Sequence, residues 1–193
     1  SDLEGSPNDP PAPGDSLTVS NAKYIYNELL KSFITRPDIL FIVVTAPPLR
    51  DSTYAQNARA FNTWLTQDWL AENNYPYPNV AVFDFFNVLT HPDNHHRFRD
   101  GVIEYVNTHG SSTLAYPSGD DHPDEQGSQK ATAEFIPLLN VYYHRWKLSA
   151  PPAPSSQPAE SAQTTQSGSD IQIPLVVLPT GSGMIDDFEN PSS

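Results

Sequence analysis

The chain has 193 residues, no cysteine, and 23 Asp and Glu against 10 Lys and Arg, for a formal charge of −13. Lack of thiols excludes disulfides, thiolate metal sites and cysteine nucleophiles, and by itself fits an extracellular bacterial protein as well as a cytosolic one. From Pro151 onward there are five acidic residues and no Lys or Arg, so the rest carries ten bases against eighteen acids, or −8, a field that repels nucleic acid and anionic membrane surfaces.

Residues 1–19 hold Pro7, Pro10, Pro11 and Pro13 with Gly5 and Gly14, and read as an extended loop. Opening at Ser1 inside that loop, with neither initiator Met nor signal peptide, reads as a piece of a longer polypeptide. Ser20 is placed to cap a helix in which Ala22, Tyr26, Leu29, Leu30 and Phe33 recur at three and four residues, stopping before Pro37. The run 39–45 is continuously apolar, which predicts a central parallel strand buried on both faces. A helix over 53–73 places Ala58, Phe61, Leu65 and Trp69 on one stripe, and 80–86 is a second buried strand. Strand, helix, strand at this spacing is a crossover unit, so the fold class is α/β with a parallel sheet.

Residues 91–100 read as polar and irregular, with a short helix over 102–107 after them. A closing helix over about 125–146 carries Ala131, Phe135, Leu138, Leu139, Tyr142 and Trp146, and Pro137 inside it predicts a kink or two helices. Trp64, Trp69 and Trp146 fall on helix stripes and are assigned to the core, and Tyr75-Pro76-Tyr77-Pro78 reads as a rigid turn into the second strand. About 130 residues thus look globular. One domain over 1–148 is followed by a Pro/Ser/Thr-rich spacer over 149–170, too poor in apolar residues to offset its ordering entropy. In the tail, 171–193, residues 171–178 have strand character, and Met184-Ile185-Asp186-Asp187-Phe188-Glu189 resembles the opening strand of a carbohydrate-binding jelly-roll domain.

Chemistry is best foreshadowed by Ser118-Gly119-Asp120-Asp121-His122-Pro123, which leads into the closing helix. A histidine with an acidic neighbour, stopped by proline before a helix start, can be held in one tautomer as a general base. In an open parallel sheet ligands bind at the carboxyl ends of the strands, which puts Thr45-Ala46-Pro47-Pro48, residues 84–87 and the His122 loop around one site. From Ser20 to Lys147 the chain resembles the SGNH or GDSL-type serine hydrolases, many of them carbohydrate or lipid esterases. The resemblance rests on Thr45-Ala46-Pro47-Pro48-Leu49, Asn57-Ala58-Arg59-Ala60-Phe61-Asn62, Val82-Phe83-Asp84-Phe85-Phe86, and Asp121-His122-Pro123 leading to Gly127.

That resemblance implies a flavodoxin-like three-layer fold, a serine nucleophile near the chain start and an Asp/His pair late in one loop. His122 matches the family histidine. The family acid stands three residues before it, where this chain has Gly119, so Asp120 takes the orienting role and Asp121 is the substitute. Gly14-Asp15-Ser16-Leu17 spells the family's nominal motif, making Ser16 a candidate nucleophile. No strand-like run precedes Gly14 to deliver it to a tight turn, however, so the serine is expected upstream of Ser1. Asn8, in Gly5-Ser6-Pro7-Asn8-Asp9, is a candidate oxyanion donor, although an Asx turn is the commoner use of such a residue.

His91, Asp93, His95 and His96 are enough in number for zinc, but His91 and His95 would need a helix to share a face and adjacent His95 and His96 diverge. The segment with Asn94, His95 and His96 is instead expected to be a solvated substrate-contact loop, and neither metal nor cofactor is called for. The function expected is a secreted serine ester hydrolase acting on an acylated carbohydrate or other ester, with no nucleic-acid or membrane partner. The competing reading is a non-catalytic, carbohydrate-binding or scaffold module of the same fold, and the third a histidine-loop metal protein.

Overall fold

The computed structural model describes residues 3–149 apart from Ser52. The expected spacer and tail strands therefore lie outside the described residues, save for the spacer's first residue.

Helix α1 (Val19–Phe33) is capped two residues earlier than at Ser20, because Thr18 accepts the Asn21 amide through its side chain. Its carboxyl end is tied down from a distance. The fully buried Asn79 donates to the carbonyls of Phe33, Arg36 and Ile39, and Tyr75 donates to its oxygen at 2.9 Å. That one amide joins the end of α1 to the entries of both parallel strands, β1 (Phe41–Val44) and β2 (Val80–Phe83), which pair from Phe41 with Val80 to Val44 with Phe83.

The crossover between them is α2 (Ala55–Gln67) and α3 (Trp69–Glu72), the expected single helix being interrupted at Asp68. Its predicted stripe is correct, since Ala58, Phe61, Leu65 and Trp69 are all buried. Alternation along β2 divides the interior. Val80 and Val82 join Leu30, Phe61, Trp64 and Trp69 on one face, and Ala81 and Phe83 join Leu138 and Tyr142 on the other. Helices thus cover both faces of a parallel pair, which makes the domain α/β. β2 is buried throughout, as a continuous apolar run requires. β1 is only half-buried and Val44 is exposed, and among the described residues β1 pairs with β2 alone, so it is an edge and not a central strand.

Beyond Phe83 the structure departs from the sequence reading in three places. The apolar run does not continue as strand: Asp84 accepts the Asn87 amide and caps α4 (Phe85–Thr90). The expected irregular segment and short helix are an antiparallel hairpin of β3 (His95–Arg99) and β4 (Val102–Val106). Its two-residue turn is Asp100-Gly101 at φ of 51° and 85°, the left-handed pair that suits the twist of a tight hairpin. Finally, α5 (Glu125–Ser149) runs unbroken through Pro137 rather than dividing there. Ala131, Leu138 and Tyr142 form its buried stripe, and Trp146 is half-buried with its indole donating to the Pro37 carbonyl at 2.9 Å. Among the described residues no helix is long and apolar enough to cross a membrane.

Candidate functional site

The His122 loop is built from backbone inward. Pro117 and Pro123 form an isolated antiparallel bridge, and the Ser118 amide donates to the His122 carbonyl at 3.1 Å, closing residues 117–123 into a tight excursion. Asp120 organises its interior. Oδ1 accepts the His122 amide at 3.0 Å and the Ser118 hydroxyl at 2.9 Å, and lies 3.1 Å from His122 Nδ1. The His122 amide, then the Ser118 hydroxyl and the imidazole, hold the Asp120 carboxyl down to about 2, so it is an anion across the working pH range. An Nδ1–H directed at that anion leaves the lone pair on Nε2, the tautomer a general base needs. The imidazole is accessible, with 81 % of its side chain exposed.

Asp121, the substitute acid, does something else. Its Oδ1 accepts the Arg50 amide at 2.9 Å, and the Arg50 guanidinium donates to the Gly119 carbonyl at 2.7 Å. Leu49 accepts from the Leu114 amide. These bonds fasten the His122 loop to the segment leaving the carboxyl end of β1, the juxtaposition expected of an open parallel sheet. Gly127, in the first turn of α5, completes the support. A Cβ there would stand 2.8 Å from Tyr116 Cβ and 3.2 Å from Pro123 Cβ, so only glycine lets the helix press against the base of the loop. An apolar cleft of about 230 Å³ opens at the strand ends, lined by Val44, Phe83, Phe85, Ala131, Thr132 and Phe135.

The other sequence candidates go elsewhere. Ser16 is exposed beside the start of α1, where its carbonyl accepts from the Thr18 amide and the Asn21 side chain. Among the described residues no hydroxyl bonds the His122 ring. Asn8 is exposed in the turn that Ser6 and Asp9 close through backbone and side chain.

The Asn94–His96 segment is corrected most. Asn94 is fully buried, donating to Thr90 Oγ1 and accepting from the Thr108 amide. His95 is held 2.7 Å from Glu134 Oε1. His96 is only 4 % exposed, and its Nδ1 accepts the Asp84 amide at 2.8 Å. Alternation on β3 turns these groups against α5 and β2, so they are not a solvated loop.

Sequence reasoning missed the polar cluster this creates. Asp84, fully buried at the end of β2, accepts from the Thr45 hydroxyl (3.1 Å), the Asn87 amide (3.0 Å) and the Tyr105 hydroxyl (2.9 Å). Burial raises its carboxyl despite those donors. Burial likewise pushes His96 down to about 4, against the pull of Glu134, and Tyr142, 3.5 Å from His96 Nε2, up to about 12. Arg59 of α2 joins through Asn87 (2.7 Å), Thr90 (2.6 Å) and the Ser111 carbonyl. An acid directly after a buried apolar strand was the available signal, since that position must be paired or capping. Comparison of the chain with family profiles, curated proteins and solved structures gives no match.

Proposed function

We propose that this domain carries the histidine–aspartate half of an SGNH-type serine ester hydrolase, with a flavodoxin-like three-layer fold, acting on an acylated carbohydrate outside the cell. The reading rests on one observation, the accessible His122 imidazole with Nδ1 3.1 Å from the Asp120 carboxylate at the carboxyl edge of the sheet. His122 Nε2 takes the proton of a serine hydroxyl as its oxygen attacks the acyl carbon and the carbonyl electrons move onto oxygen. On collapse, Nε2 returns that proton to the departing sugar hydroxyl, and a water repeats the sequence to release the acid. The nucleophile is assigned to polypeptide preceding Ser1, with Ser16 as the alternative. The apolar cleft at the strand ends suits a short acyl group.

A second reading, a non-catalytic carbohydrate-binding or scaffold module, is favoured by Gly119 at the family's acid position, where φ is +120° and no carboxylate exists. One experiment separates the two. The natural protein containing this chain is treated with a fluorophosphonate and assayed with p-nitrophenyl acetate, beside its His122→Ala variant. The hydrolase reading requires labelling of a serine and a fall in kcat/KM of about 10²–10⁴-fold in the variant. No labelling and no difference between the proteins would leave the binding module.

A further inference from the structure

His91, Asp93 and His109 come together at the open end of the hairpin, from the segments that enter β3 and leave β4. The β3–β4 excursion returns the chain past the turn after α4, so His109 meets two residues that lie sixteen and more positions earlier. The two imidazole ring centroids are 3.7 Å apart with the rings tilted by 33°, and Asp93 Oδ2 lies 3.7 Å from His91 Nδ1 and 3.2 Å from His109 Nε2. One ligand atom from each residue falls within 4.8 Å of the other two. A tetrahedral ion with bonds of about 2.0–2.1 Å separates its ligand atoms by roughly 3.4 Å. The two measured edges bracket that separation.

The frame under the cluster is rigid. Fully buried Asn94 donates its backbone amide to the His91 carbonyl (3.1 Å), and its side-chain oxygen accepts from the Thr108 amide (2.9 Å), so one residue ties both turns to each other. Its carbonyl is held in turn by Lys130 Nζ at 2.6 Å. The Asp93 amide donates to His91 Nδ1 at 3.1 Å, which identifies Nδ1 as the unprotonated nitrogen, the state ligation requires. All three side chains remain reachable from solvent.

We propose that His91, Asp93 and His109 form a site for a divalent transition ion of the zinc class, with water completing the coordination. The ion takes the His91 Nδ1 lone pair in place of the Asp93 amide and the His109 Nε2 lone pair as that ring's proton moves to Nδ1. Two imidazoles and one carboxylate suit zinc, nickel or copper and reject calcium and magnesium, which require oxygen shells. The site is separate from the His122 loop and independent of the reading of that loop.

The test is titration of the intact chain with Zn²⁺ by calorimetry, and with Co²⁺ by visible absorption. One ion per chain with Kd below about 100 μM is expected. His109→Ala and Asp93→Asn should each weaken binding at least about tenfold. His144→Ala, which removes an exposed histidine elsewhere on α5, should leave it unchanged, and millimolar Ca²⁺ should not compete. No binding at millimolar Zn²⁺, binding that survives His109→Ala, or equal competition by Ca²⁺ would each overturn the site. The substituted side chains are at the surface, and far-ultraviolet circular dichroism checks that the variants remain folded.

Discussion

His96 and His122 each sit beside an aspartate region at the carboxyl edge of the sheet, yet one is enclosed and the other stands in solvent. At His96 the partner is the backbone amide of Asp84, the ring stacks on Phe83 with centroids 5.8 Å apart, and burial keeps the imidazole neutral. At His122 the partner is the Asp120 carboxylate itself, and little covers the ring. An enclosed imidazole that must stay neutral is a structural acceptor whose protonation costs stability. An accessible imidazole oriented by an anion can take and return a proton without unfolding anything. The contrast separates residues that hold the sheet edge together from those free to exchange a proton there, and four substitutions test it, from the largest expected effect on stability to the smallest.

The largest effect is expected at Asp84. Asp84→Ala removes the acceptor for the Asn87 amide and the Thr45 and Tyr105 hydroxyls together and opens space in the interior. Leaving buried donors unpaired costs about 1–3 kcal/mol each, so a loss of at least about 3 kcal/mol in urea unfolding is expected. A smaller loss would mean that the cluster is wetter, and less structural, than its burial implies.

His96 should contribute a similar amount, but only through pH. Burial lowers its folded value to about 4 from the 6.5 of an unfolded chain. The unfolded state therefore binds the proton first, and stability present above about pH 6.5 is lost as pH falls toward 4, by about 3 kcal/mol. Asp84 works in the opposite sense, because its raised carboxyl gains protons more readily in the folded state as pH falls. In the wild type the two contributions partly offset each other. His96→Asn retains an acceptor for the Asp84 amide and removes the titration, so it should lose about 3 kcal/mol less than wild type between pH 7 and pH 4 in urea denaturation. Equal losses would show that His96 is not the acid-sensitive group.

What could be read in advance follows the same division. Continuous apolar runs and three-to-four spacing are periodic signals, and they located both parallel strands, α1, α5 and the buried stripe of α2. Asp100-Gly101 between alternating residues was a legible hairpin signal too, outweighed by the composition of His91-Pro92-Asp93-Asn94-His95-His96, which reads as a polar loop. Which histidine faces in or out was not legible, because that depends on the pairing register of β3 and on α5 arriving more than thirty residues later. The meeting of His91 with His109 has the same cause: it exists only once the hairpin is formed. Asp120 and His122, two residues apart in one loop, needed no long-range information.

Gly127→Ala should have an intermediate effect. The added methyl would stand 2.8 Å from Tyr116 Cβ, closer than real side chains approach, and a tight 3.2 Å from Pro123 Cβ, and these neighbours are a Cβ and a proline ring rather than a flexible tip. Overpacking of this kind costs about 1–3 kcal/mol. Better helix propensity returns up to about 1 kcal/mol. A net loss of about 1–2 kcal/mol by thermal or urea unfolding is therefore expected and, under the proposed function, slower ester hydrolysis, since the first turn of α5 packs against the base of the His122 loop. If the variant were more stable than wild type, the close approach would not constrain the loop.

Asp120→Asn should be the smallest effect on stability and a large one on chemistry. Asp120 is exposed, and an asparagine oxygen can still accept the Ser118 hydroxyl and the His122 amide, so the melting temperature should stay where it was. The anion facing Nδ1 is lost, and with it the preference for the Nδ1–H tautomer and the stabilisation of the imidazolium formed during proton transfer. Under the proposed function hydrolysis should fall by about tenfold or more, and imidazole ¹⁵N shifts should move from the Nδ1–H form toward a mixture of tautomers. Retained activity with an unchanged tautomer would take the orienting role from Asp120. It would not pass to Asp121, whose Oδ1 accepts the Arg50 amide, and the histidine would then be a loop residue with no carboxylate to direct it.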